Sequence, residues 1–141
     1  MSSWLLWALL SACFAALTAL AAKVGVAQID PDAATLIRTC VVVVVLVAIV
    51  LTTGQYRTLH NASARTYAFL TLSGLATGAS WLCYFRALQL GDASRVAPID
   101  KLSVVLVAVF GVAFLGERLG TWNWVGIGLI AAGAWLVTLR L

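Results

Sequence analysis

In the stretch RVAPIDKLS, from Arg95 to Ser103, Asp100 and Lys101 set a carboxylate beside an ammonium just inside an otherwise apolar segment. Such a pair can bind a charged solute, hand on a proton or simply neutralise itself. Lys23, Arg38 and Arg86 sit in comparably greasy surroundings. A charge inside hydrocarbon is costly unless paired or wetted, and facing the interior of a helical bundle is the usual resolution. Lys23, Arg38, Arg86 and Lys101 set against Asp100 leave a surplus of positive charge that could receive a carboxylate or phosphate. Lys and Arg near helix ends also snorkel to headgroups, and Asp100 can pair structurally with Arg86 or Lys101. Both readings stay open for each cation, whereas Asp100 has no long stem with which to escape and is expected to face the bundle.

A second group lies upstream. Ser73, Thr77, Ser80 and Tyr84 follow the spacing of one helical face and form a polar stripe expected to face inward. Beside it Gly74 and Gly78 give a small-xxx-small contact, and Trp81 offers a rigid wall. Ser and Thr also bond back to their own helix, so ordinary helix packing is an equal reading of the stripe. Ser103 follows Asp100 by three positions and extends its face.

The elements that must position these residues are membrane helices. Of 141 residues 63% are apolar and 10% charged, against about half and a quarter in soluble domains. Runs near the roughly 20 residues that cross hydrocarbon cover residues 4–22, 33–53, 66–90, 96–115 and 121–139. Their length, without period-two alternation, excludes barrel strands, so the fold class is all-α, a polytopic membrane protein with five transmembrane helices in one membrane domain. Short polar connectors make consecutive helices antiparallel neighbours. In the LQLGDASR hairpin Arg86 and Asp100 lie about equally far from the turn, roughly 10 Å at about 1.5 Å per residue. Lys23 and Arg38 flank the IDPD turn in the same way, so four helices contribute charges to one layer. Pro98 reads mainly as a helix-initiation signal.

Several function classes drop out. The net charge of +4 comes without a polybasic run, so membrane anchoring explains the basic residues better than nucleic acid does. Cys13, Cys40 and Cys83 are odd in number and far apart, which supports neither a disulfide framework nor a zinc site. His60, the single histidine, stands in a polar connector, and neither a metal constellation nor a nucleophile triad accompanies it. No enzyme and no cofactor are expected. The first apolar run lacks a positive n-region and is longer than a signal peptide's core, so it reads as a retained span. Positive charge on the two sides gives only a weak orientation bias.

With these features located, the chain resembles a five-helix unit of the EamA type in the drug/metabolite transporter superfamily. The resemblance rests on Arg38, on ALQLGDASRVAPIDKLSVV from Ala87 to Val105, on FLGERL from Phe114 to Leu119 and on WNWVGIGLIAAGAWLV from Trp122 to Val137. GIGLIAAG, Gly126 to Gly133, is also similar to the dimerisation helix of small multidrug resistance proteins, but the first span lacks the acidic residue those exporters carry. The resemblance implies half of an inverted-repeat transporter fold in a bacterial inner membrane, moving a small polar metabolite such as an amino acid or organic anion by alternating access. Transporters of this design enclose their site between inverted repeats. Because five is odd, a tandem copy is inverted automatically, whereas a separate copy must insert the other way round, which the weak charge bias permits, so dual topology and an antiparallel homodimer are expected, with Gly126, Gly128, Ala132 and Gly133 at a partner contact or packed within the subunit. The substrate site is expected among the first, third and fourth spans, with Ser73, Thr77, Ser80, Trp81 and Tyr84 as walls and hydrogen-bonding groups. Asp100 pairs Arg86 or Lys101 when the site is empty, and an arriving carboxylate takes over a cation and releases Asp100 to an amine or a proton. The rival expectation is a non-transporting membrane partner or half of a heteromer.

Overall fold

The structure is a computed structural model and describes residues 3–139, apart from the side chain of His60. The elements are α1 (Ser3–Gly25), α2 (Pro31–Thr52), a 3-10 helix (Gln55–Asn61), α3 (Ala64–Leu90), α4 (Ala93–Asp100), α5 (Ser103–Leu115) and α6 (Thr121–Leu136). The fold is all-α, and four stretches among the described residues are long and apolar enough to cross a membrane: α1, α2, α3 and the run Ala93–Leu115 that holds α4 and α5. The fifth expected span, 121–139, is helical over the 16 residues of α6, about 24 Å at 1.5 Å per residue.

Local chemistry sets the helix ends. Asp30 caps α2 by accepting the Asp32 N–H at 2.9 Å, and Pro31 fills the first helical position, where a missing N–H costs nothing. Gly54, at φ 72°, takes the left-handed conformation just beyond the helix. The connector from Gly54 to Arg65, expected to be a plain polar loop, winds instead into the 3-10 helix, and the Tyr67 hydroxyl donates to the Leu59 carbonyl at 2.5 Å. Ser63 accepts the Thr66 N–H at 3.2 Å and so caps α3.

The fourth span is broken where the sequence suggests a continuous helix. Pro98 lies inside α4 rather than at its start, which is at Ala93, just after Asp92. It has no N–H to return to the preceding turn, and the bonding register tightens just after it. Leu102 donates to the Ile99 carbonyl at 2.9 Å, and Val104 to the Lys101 carbonyl at 3.0 Å. These are 3-10-type steps between α4 and α5.

The chain divides into two compact units, residues 1–19 with 90–141, and residues 20–89. In the second unit burial concentrates where the end of α1, the start of α2 and the end of α3 meet. Val26 and Leu88 are wholly buried there, with Ala22, Ala34, Thr35 and Phe85 around them. Further along, Val44, Leu46, Leu70 and Leu75 are exposed, as expected of side chains whose solvent is lipid. In the first unit α6 packs against both α4 and α5, and the buried positions are small, Ala19, Ala108, Gly111 and Ala134, which is how membrane helices approach closely.

At the end of α5, Gly116 has φ 68°, and its own N–H and that of Glu117, the latter at 3.1 Å, both reach back to the Gly111 carbonyl, closing the helix through a left-handed residue. Gly116→Ala is expected to cost about 1 kcal/mol, the Cβ penalty of a left-handed residue, read as loss of unfolding free energy in detergent. Gly120, at an ordinary negative φ of −72°, carries no such left-handed penalty.

Candidate functional site

Three of the intramembrane cations belong to the second unit, and each has a different situation. Lys23, in the last turn of α1, donates from Nζ to the Leu88 carbonyl at 2.6 Å. A cation on a carbonyl near the end of α3 also complements the negative end of that helix. Arg86 makes a two-pronged contact with Asp32, from one guanidinium nitrogen to Oδ1 at 3.1 Å and Oδ2 at 2.9 Å. Asp32 is in the first turn of α2 and Arg86 in the last turns of α3, so each charge also opposes the dipole of its own helix end.

Within the second unit Arg86 thus has a carboxylate partner, Asp32, that the sequence reading did not name. Hairpin symmetry matched Arg86 to Asp100 by depth, but depth leaves the rotation of the helix open. The signal that could have found Asp32 was present in the sequence: an acid in the first turn after a proline, on the helix antiparallel to that of Arg86.

Arg38 differs from both. It lies seven residues beyond the start of α2, and its guanidinium carbon stands 3.0 Å from the centre of the Trp81 ring and 6.0 Å from that of Phe85. Trp81 makes an edge-on contact with Tyr84 and a tilted one with Phe85, both at 5.9 Å between ring centres. Arg38 on α2 thus faces an aromatic group on α3, with Trp81, Tyr84 and Phe85 one helical turn apart. A guanidinium on an indole face is a strong cation–π geometry, and the stacked plane leaves its edge donors available.

The polar stripe is less enclosed than expected. Ser73, Thr77 and Ser80 are exposed within their unit, and the Thr77 hydroxyl donates to the Ser73 carbonyl at 2.8 Å. This is the back-bonding that competes with a substrate role. A Cβ built on Gly74 or Gly78 meets no atom within 4 Å among the described residues, so neither glycine is in close helix contact within the chain. Trp81 and Tyr84, further along the same face, are half-buried and carry the ring contacts.

In the first unit, Asp100 closes α4 and Lys101 occupies the break, with Nζ 3.2 Å from Asp100 Oδ2. Of the two pairings expected for Asp100, the structure has the one with its neighbour. Ser103 opens α5 and is exposed, and Arg95 stands 4.0 Å from Asp92 one turn away. On α6, Gly126 is half-buried, and Gly128, Ala132 and Gly133 are exposed. A Cβ on any of the three glycines meets nothing within 4 Å among the described residues. The described residues hold no group of three or more His, Cys, Asp and Glu side chains placed to bind a metal.

Long apolar helices carrying paired charges within their spans define an integral multi-pass α-helical membrane protein. The chain belongs to the EamA-like transporter family, which matches residues 2–139. It is 66% identical over 135 residues to the "Uncharacterized transporter in cobO 3'region" of Sinorhizobium sp, covering 96% of both chains. It is 26% identical over 141 residues to the "Uncharacterized transporter YxxF" of Bacillus subtilis (strain 168), covering 99% of this chain but 44% of that one. Over 78 residues, 55% of this chain and 70% of the other, it is 29% identical to the "Probable 4-amino-4-deoxy-L-arabinose-phosphoundecaprenol flippase subunit ArnE" of Hamiltonella defensa subsp. Acyrthosiphon pisum (strain 5AT). No solved structure gives a significant match. Helical spans and bacterial relatives together assign the chain to the bacterial inner membrane.

Proposed function

We propose that the protein moves a small polar metabolite across the inner membrane by alternating access, working as an antiparallel homodimer. The observation that carries this reading is one of length: nearly the whole chain aligns with 44% of YxxF, so one copy corresponds to about half of that longer transporter. A design built from two inverted halves is complete only when a second half is supplied, and a five-span chain supplies it by inserting upside down. Open space around Gly126, Gly128 and Gly133 supports α6 as the partner contact, since small residues with nothing against them allow another helix to come close.

Substrate contacts are assigned unit by unit. In the second unit they are Arg38, Trp81 and Tyr84, with Ser73, Thr77 and Ser80 along the same helix, while Lys23 and Arg86 hold the helix ends in place. In the first unit they are Asp100, Lys101 and Ser103, gathered at the break between α4 and α5, where irregular backbone in a span characteristically lines a cavity. The Asp100–Lys101 pair separates when a charged solute takes one partner.

The test combines topology with transport. Tags readable from only one side of the membrane should find both orientations, and cysteines at Gly126 and Gly133 should cross-link two copies. Asp100→Asn in proteoliposomes should change the rate of uptake and its pH dependence at normal protein yield. Unchanged uptake on both counts removes Asp100 from the mechanism. A single fixed orientation sinks the homodimer and favours half of a heteromer, the arrangement suggested by ArnE, which is named as a subunit.

A further inference from the structure

We propose that Arg38, stacked on Trp81, is the recognition point for a solute monocarboxylate, an inference that rests on the transporter reading and names its substrate class. Asp32 is engaged by Arg86, Asp30 accepts the Asp32 N–H as the cap of α2, and the Lys23 ammonium sits on the Leu88 carbonyl. The two acids of residues 20–89 are therefore committed, and neither is the counter-ion of Arg38. A guanidinium keeps its charge under all ordinary conditions, so Arg38 needs an anion from elsewhere.

Its position argues against a headgroup as that anion. Arg38 lies seven residues into α2 and Trp81 nine residues before the end of α3, roughly 10 and 13 Å along their helices at about 1.5 Å per residue. An arginine that snorkels carries its head toward the interface. The Arg38 head instead rests on the Trp81 ring at 3.0 Å, at the depth of that ring.

Geometry and charge then select the ligand. With one face of the guanidinium covered by indole, recognition runs through the in-plane edge, whose fork matches the two oxygens of a planar carboxylate. One uncommitted cation balances one negative charge, whereas a phosphate dianion calls for two. Tyr84 meets Trp81 edge-on, and both rings are half-buried, so the same place offers ring surface to an apolar substituent on the acid.

Benzoate is a suitable probe, having a planar carboxylate and a ring, and benzamide is its neutral isostere. The purified full chain in a nonionic detergent is heated with increasing amounts of each. Benzoate is expected to raise the melting temperature in a saturable way and benzamide not to, because a ligand that binds only the folded state stabilises it. Arg38→Gln should abolish the shift, and Arg38→Lys, which keeps the charge without the fork, should weaken apparent affinity about tenfold. Arg57→Gln, in the 3-10 helix, should behave as wild type. If Arg38→Gln does not fold, Arg38→Lys and Trp81→Phe carry the test, both with weakened benzoate binding.

Four results overturn the proposal: no benzoate shift, an equal shift with benzamide, a shift that survives loss of Arg38, or an Arg38-dependent shift that is larger with inorganic phosphate or with phosphatidylglycerol micelles. Counterflow of labelled benzoate in proteoliposomes separates the two levels of the argument. Arg38-dependent binding without movement removes the transporter reading and keeps the site, while movement that ignores Arg38 removes the site and keeps the transporter.

Discussion

Replacing Leu88 with alanine is expected to lower unfolding free energy by about 2 kcal/mol, the low end of the range for emptying a buried leucine site. Leu88 and Val26 are the two large side chains wholly buried in the described chain, and they lie where α1, α2 and α3 converge. The estimate sits at the low end for a reason peculiar to membranes. Separated helices remain in lipid, so little hydrophobic transfer energy is lost and the cavity and lost van der Waals contacts dominate. Leu88→Met, which conserves volume, should cost under about 1.5 kcal/mol. Leu70→Ala, at an exposed position on α3, should cost almost nothing. Reversible unfolding in mixed micelles provides the measurement, and equal losses at Leu70 and Leu88 contradict a localised core.

A core confined to one end of the second unit also explains what sequence reading could and could not reach. Hydropathy marks a span whether the helix packs against protein or lipid, so α1, α2 and α3 were legible to within a few residues from composition alone. Which face of a span touches protein is a different matter. Apolar residues surround these helices on all sides, and no amphipathic pattern marks the buried one. The stripe Ser73, Thr77 and Ser80 therefore read as inward-facing although it is exposed within the chain.

The candidate site divides along the same line. That Lys23, Arg38 and Arg86 come near one end of their unit followed from counting residues on either side of a turn. Which partner each one takes did not follow, because partner choice depends on helix rotation. Lys23 found a backbone carbonyl, Arg38 an indole and Arg86 a carboxylate, three outcomes for three similar side chains. The break after Pro98 was half-legible: proline announces a lost hydrogen bond, but only the flanking register shows whether the helix starts there, kinks or divides. Here α4 begins five residues earlier, and the chain divides at Lys101 and Leu102.

Reversing the charge at Arg86 provides the second large effect. In Arg86→Asp, two carboxylates face each other where a guanidinium now spans both oxygens of Asp32. The carboxylate introduced at position 86 also stands at the negative end of the α3 dipole. The wild-type pair is only partly enclosed, with side-chain exposures of 61% and 53%, so its loss is discounted from the value for a buried pair to roughly 1–2 kcal/mol. The double reversal Asp32→Arg with Arg86→Asp restores the attraction across α2 and α3 but places both charges against their helix dipoles. It should therefore recover about half of the lost stability, a coupling that a double-mutant cycle isolates. If Arg86 touched substrate rather than Asp32, the reversal would leave unfolding unchanged and remove only transport. A loss of stability shared by Arg86→Asp and Asp32→Arg, with partial recovery in the double variant, assigns the pair to holding the helices together and leaves anion recognition to Arg38.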